Sequence, residues 1–289
     1  MYIINRKFAI LLLSIFFLST TQIFSQEKFG GLALYSVRDD MASNPQETLQ
    51  KVADIGYKYV EAAGYNDGKF YGMAPAAFKK YVEDLGMVPL STHQGAVTME
   101  NVDQMIKDVK AAGFEYFIIP VPPMGHFKVD EKTHQMGMDA NAKWLADFLN
   151  DIGKKCEAAG LKLLYHNHNF EFKKDDSGEL IYDYLLAHTN PKYVNFQMDL
   201  YWITNAGKDP VSYFKKYPGR FKLWHVKDMD KQGRFAPVGT GTIDFKEIFA
   251  HKELAGMKHY LVEQDKTYNH TPLEAVRISH ENLKEITAE

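Results

Sequence analysis

The sequence is short of cysteine, of charge of one sign and of long apolar runs, and each shortage excludes something. Cys156 is the only cysteine in 289 residues, so no disulfide can staple the chain and no cysteine cluster can hold a metal. Its place on an apolar helical stripe predicts a buried, inert thiol. Charge is balanced, with 34 basic and 37 acidic residues and a formal net of −3. The two signs are interspersed, so no basic stripe exists to follow a phosphate backbone, and nucleic acid is not an expected partner. No glycine-rich phosphate loop follows the first predicted strand, which argues against an open doubly wound sheet. The apolar run from Phe8 to Leu18 is shorter than the ~20 residues a membrane span needs.

That run follows Arg6 and Lys7 and is followed by the polar stretch Ser19 to Gln22 and the small Ser25, the order of an export signal. Residues 1–25 are therefore read as a signal peptide cleaved near Ser25, which predicts an exported, periplasmic protein with no stable membrane insertion afterwards. Residues 26–289 suit one barrel of ~250 residues. With 45% hydrophobic and 25% charged residues, that domain has ample material for a core. A homo-oligomer is compatible with all of this.

What is present is a repeated order of helix, glycine and strand. Helix-like stretches close on Gly56, Gly86, Gly113, Gly160 and Gly256, where glycine supplies a left-handed cap. Apolar runs follow: Tyr57 to Glu61, Met87 to His93, Phe114 to Pro120, Leu161 to His168 and Met257 to Glu263. Their near-continuous apolarity predicts strands buried on both faces. Gly31 to Val37, Tyr193 to Asp199 and Phe221 to Lys227 complete about eight strands. Between them run 3.6-residue stripes, such as Val102, Met105, Ile106 and Val109, or Leu145, Phe148, Leu149, Ile152 and Cys156. The alternation predicts a single-domain α/β fold, a closed (β/α)₈ TIM barrel. Loops after strands, Pro120 to Thr133 and Lys227 to Asp244 among them, are the longer ones, and in a barrel that side builds the active site.

Ionisable residues collect at the predicted C-terminal strand ends: Glu61, His93, His166, His168, Asp199, His225, Lys227 and Glu263. Asp199, His225 and Glu263 each emerge from an apolar strand. Buried carboxylates are costly, and a cation is the usual compensation. Mixed oxygen and nitrogen donors suit a divalent metal, Mn²⁺, Mg²⁺, Co²⁺ or Zn²⁺, without choosing among them. His166 and His168 stand two apart on one predicted strand, hence on one face. One can bind the metal while the other acts as a base, and Glu171 just beyond is placed to contact a substrate hydroxyl.

At these residues the chain resembles the xylose isomerase-like TIM barrel superfamily, the sugar phosphate isomerases/epimerases, over nearly its whole mature length. Leu34-Tyr35-Ser36-Val37-Arg38-Asp39 is similar to the first-strand motif of its inosose-dehydratase-like branch. So are Tyr165-His166-Asn167-His168 with Phe170-Glu171-Phe172, Met198-Asp199-Leu200-Tyr201-Trp202, and His225-Val226-Lys227-Asp228. The resemblance implies a metal held by His166, Asp199, His225 and Glu263, with His166 departing from the usual Glu. It further implies His168 as acid/base, Glu171 as a second candidate base, and Lys227 as oxyanion holder or proton donor. Tyr35, Glu61, His93 and Trp202 are the implied substrate contacts.

The implied chemistry is proton abstraction beside a ketone with stabilisation of an enediolate. Its products are those of a lyase or hydratase, or of an isomerase or epimerase. The same resemblance reaches exported enzymes acting on 3-keto-glycosides and their glucal products. Export and the lack of an arginine cluster favour such an unphosphorylated keto-sugar. A non-catalytic sugar-binding protein and a metal-dependent abasic-site nuclease are the competing classes.

Overall fold

In the computed structural model, which describes residues 28–123, 125–133 and 135–288, all five predicted cap glycines have positive φ, from +70° at Gly86 to +112° at Gly56. An L side chain is strained there, and glycine is not. Each glycine returns the chain from an outer helix to a barrel strand.

The strands are β1 (Phe29–Ala33), β2 (Tyr57–Ala62), β3 (Val88–His93), β4 (Tyr116–Ile119), β5 (Lys162–His166), β6 (Val194–Asp199), β7 (Phe221–Val226) and β8 (His259–Val262). All are parallel to their neighbours, and β8 pairs with β1 to close the barrel. The predicted (β/α)₈ architecture is what the chain adopts. The signal reading of residues 1–25 falls outside the described residues. Among the described residues no helix is long and apolar enough to cross a membrane.

Outside the strands, Pro45–Ile55 is capped by Asn44, whose side chain accepts from Glu47 N, and Pro272–Ile286 opens on a Thr271/Glu274 capping box. The predicted stripes bury Val102, Met105, Ile106 and Val109, then Leu145, Leu149, Ile152 and Cys156, and the helix Pro75–Asp84 likewise buries Phe78 and Val82. Cys156 is a buried free thiol whose pKa burial pushes up to about 12, so it is inert as expected. Inside the barrel a second apolar cluster joins Leu90, Tyr116, Ile118, Leu164, Leu223 and Leu261. That cluster fills the interior beneath the polar strand ends.

Two strands end two or more residues before their predicted C-terminal ends. The first stops at Ala33, and Leu34–Val37 form a 3₁₀ turn that leads into the helix Arg38–Ser43. The fifth stops at His166, because Asn167 replaces the ladder with its side chain: Oδ1 accepts from Asp199 N and from the Tyr182 hydroxyl. His168 therefore lies beyond the strand. Three small hairpins decorate the C-terminal side, pairing Tyr65–Asn66 with Lys69–Phe70, Phe127–Val129 with Met136–Met138, and Asp228–Met229 with Phe235–Ala236. Asp228 ties down the loop after β7 by accepting from Gly239 N, Gly241 N and Ile243 N.

Candidate metal centre and active-site mouth

Side chains two apart on a strand share a face. Leu164, Leu223 and Leu261 belong to the interior cluster, so His166, His225 and Glu263 rise directly above it. With Asp199 they form one group. All four are buried, and one ligand atom of each lies within 4.8 Å of every other. His93, His166 and His225 meet the same spacing as an all-imidazole set.

Beneath this group lies Glu61. Its Oε1 sits 2.6 Å from His225 Nε2 and 3.0 Å from His93 Nε2, while Oε2 accepts from Ser91 Oγ and Gln197 Nε2, both at 2.7 Å. The Gln197 carbonyl in turn lies 3.1 Å from His166 Nδ1 and 2.9 Å from His93 Nε2. These partners leave His225 Nδ1 facing Glu263 Oε2, at 2.9 Å, and Asp199 Oδ2, at 3.9 Å. A carboxylate or amide on the far nitrogen is the usual way a ligating imidazole is oriented.

Local irregularities aim the two anchors. Pairing between β2 and β3 shifts between Val60 and Glu61, and pairing between β6 and β7 shifts between Phe196 and Gln197. Leu90 and Lys222 are the extra residues on the partner strands. Bulges of this kind re-aim side chains at barrel rims.

Burial opposes charge throughout the group. The Glu61 carboxyl nonetheless stays well below the usual carboxylate range, because His93 and His225 adjoin it. Glu263 is likewise held low against burial, by His225 and Lys227. His225 is raised well above an ordinary imidazole against burial, by Glu263 and Glu61, and His166 is pushed well below by burial and by its imidazole neighbours. Burial lifts Asp199 to about 6, with Lys227 opposing and Glu263 adding. Lys227 stays cationic despite burial, through Asp199, Asp265 and Glu263.

A divalent ion fits this set. Asp199 Oδ2 is buried with no hydrogen-bond partner, its nearest cation being the Lys227 ammonium at 3.4 Å, and a directly coordinated cation compensates such a carboxylate better. His166 is neutral, as a ligand must be, and His225 would release its Nδ1 proton on coordination. Two imidazole nitrogens and two carboxylate oxygens match the donors expected for the divalent metals named from the sequence.

Above the group opens a cavity of about 360 Å³. Tyr35, His93, His168, Trp202 and Lys227 all line it, together with His166 and Glu263. Two residues expected there do not. Glu61 is consumed by its four contacts beneath the metal set. Glu171 is fully buried behind His168, where Oε1 accepts from the Tyr165 hydroxyl and Oε2 from His168 N, each at 2.8 Å. The short turn after β5 folds it inward, so it braces His168 instead of reaching a substrate. Burial lifts its carboxyl to about 8, with the Tyr165 contact opposing.

Gln197 and Asp265 went unnoticed as site residues in the sequence. Gln197 is a polar residue in an apolar strand two before Asp199, and Asp265 follows Glu263 by two; period-two alternation was the signal for both. Asp265 lines the cavity and lies 2.7 Å from Lys227 Nζ.

The chain is similar to several known proteins. The inosose dehydratase of Clostridium beijerinckii is 30% identical over 37% of this chain and 41% of its own. That of Geobacillus kaustophilus is 25% identical over 71% and 74%. The chain spans about half or less of the length of the first curated relatives it matches. A solved sugar phosphate isomerase/epimerase from Parabacteroides distasonis is 27% identical, with a TM-score of 0.75 over 91% of this chain and 95% of the other. The family described as xylose isomerase-like TIM barrel matches residues 49–286. That stretch runs from the first long outer helix to the last and takes in every ligand candidate, so the chain belongs to the xylose isomerase-like TIM barrel family.

Proposed function

We propose that the protein is an exported, divalent-metal-dependent lyase or hydratase acting on an unphosphorylated keto-sugar of the 3-keto-glycoside or 3-keto-2-hydroxyglucal type. The observation that carries this reading is one cavity with the donor set at its base and two proton carriers, His168 and Lys227, on its wall. A divalent ion held by His166, Asp199, His225 and Glu263 supplies an electrophile beside the substrate carbonyl.

The chain's own groups supply the rest. His168 is uncharged, pushed down to about 3 by burial and by Lys227, so it meets the substrate as a neutral imidazole whose Nδ1 has no hydrogen-bond partner of its own. Its neighbour Glu171 holds its backbone in place. Lys227 enters as an ammonium and can protonate a departing β-oxygen. The ring of Trp202, 5.5 Å from that of His168, and Tyr35 on the rim offer apolar faces to a sugar ring.

Three features favour an unphosphorylated substrate. No arginine lines the cavity among the described residues, two carboxylates, Glu263 and Asp265, do, and the N-terminal pattern is that of export. Carbon–oxygen cleavage also agrees with the dehydratase names of the curated relatives. The isomerase or epimerase reading draws on the Parabacteroides structure, which this chain covers almost completely. In it, the enediolate is reprotonated and no oxygen is expelled.

Metal-loaded protein incubated with 3-keto-glucosides and common ketoses in deuterated water, followed by NMR, separates the two. Release of the aglycone with deuterium exchange beside the ketone is the expected result. Deuterium entering a ketose without elimination favours the isomerase, and no exchange with any substrate in the presence of bound metal sinks both.

A further inference from the structure

Lys227 Nζ stands among three carboxylates: 2.7 Å from Asp265 Oδ1, 2.9 Å from Glu263 Oε2 and 3.4 Å from Asp199 Oδ2. Two of them belong to the proposed ligand set, and Asp265 does not. The ammonium and a divalent ion therefore compete for Asp199 and Glu263. Both neutralise the same buried charge, and at such range between largely buried groups salt screens their mutual repulsion poorly.

Asp265 offers the ammonium a partner outside the contest. It lies on the cavity side, more accessible than the other two carboxylates, at 24% side-chain exposure against 0% for Asp199 and 5% for Glu263. Its backbone is fixed as well: Arg38 donates to the Asp265 carbonyl at 2.8 Å and lies over the Tyr35 ring. The carboxylate is thus presented to Lys227 by an anchored segment.

We infer that Asp265 is a positioning residue that draws the Lys227 ammonium away from Asp199 and Glu263, and so sets how tightly the protein takes up a divalent metal. This rests on the metal-dependent reading above. The same pairing keeps Lys227 on the cavity wall once the metal holds the other two carboxylates.

A double-mutant cycle on metal affinity tests it, with chelator-stripped protein titrated calorimetrically with Mn²⁺ or Zn²⁺ and folding checked by thermal unfolding. Asp265→Asn leaves the ammonium only the ligand carboxylates, so affinity falls roughly 10- to 100-fold. Lys227→Met removes the competitor, and affinity rises. In the Lys227→Met background, Asp265→Asn changes affinity by no more than about threefold. Asp265→Glu, which keeps the charge, retains most of the wild-type affinity.

Were Asp265 merely one more negative charge near the metal, Asp265→Asn would cost the same factor in both backgrounds; equal losses overturn the inference. Asp265→Ser serves in the cycle if Asp265→Asn fails to fold. A folded wild-type protein that takes up no divalent metal overturns the functional reading itself, and this inference with it.

Discussion

Glu61 Oε1 approaches His225 Nε2 to 2.6 Å across the barrel interior, joining residues 164 apart in the chain. The contact selects the ring nitrogen that faces Asp199 and Glu263. Glu61→Gln keeps the shape but removes the charge that orients His225 and supports its basicity. Divalent-metal affinity is expected to fall roughly 10- to 100-fold, with activity recoverable at high metal. Competition with a calibrated chelator measures this, and unchanged affinity would show that Glu61 has only a packing role.

Metal should also support the fold. At free metal a hundredfold above Kd, binding to the folded state alone adds about 2.7 kcal/mol of stability. Urea unfolding with and without metal reads that difference directly. Glu263→Gln removes a ligand, so the expected result is a folded protein whose midpoint no longer responds to metal and whose turnover is lost. A mutant that keeps both responses would strike Glu263 from the ligand set.

Glu171 gives a pH dependence whose sign follows from its carboxyl being lifted from an ordinary 4.5 to about 8 by burial, with Tyr165 opposing. Between those values the folded protein retains a proton that the unfolded chain has released. Its contribution to stability is therefore complete below about pH 4.5, declines above it and is lost as pH rises through about 8. Glu171→Gln imitates the protonated form and should flatten the alkaline part of that decline in chelator-treated protein. An identical slope in mutant and wild type would mean that the carboxyl is already ionised at neutral pH.

Much of the barrel was legible because its signals are local. Gly56, Gly86, Gly113, Gly160 and Gly256 mark left-handed caps, a requirement set by the backbone of the glycine itself. The apolar runs after them have the length and composition of strands covered on both faces. Asp199, His225 and Glu263 were legible for the same reason, as ionisable residues ending apolar runs. Glu171 and Glu61 were misplaced because the direction of a side chain beyond a strand end, or beside a bulge, depends on what the neighbouring strand presents. Asn167 ends β5 with hydrogen bonds to Asp199 and Tyr182, partners from distant parts of the chain.

By itself, then, the amino-acid sequence determined the alternation of helix and strand, the side of the barrel that carries chemistry, and the residue types available there. Caps, stripes and strand ends are properties of a few consecutive residues, so no distant contact is needed to set them. Only the tertiary structure decided which of those residues meet the cavity and which stand behind it. Register shifts beside Glu61 and Gln197 turned these two toward His93, His166 and His225. Pairing of β7 with β8 brought Asp265 to Lys227, and the turn that leaves β5 at Asn167 folded Glu171 behind His168. A one-residue slip in register exchanges the faces of a strand, so such placements belong to the pairing of strands and not to any one of them.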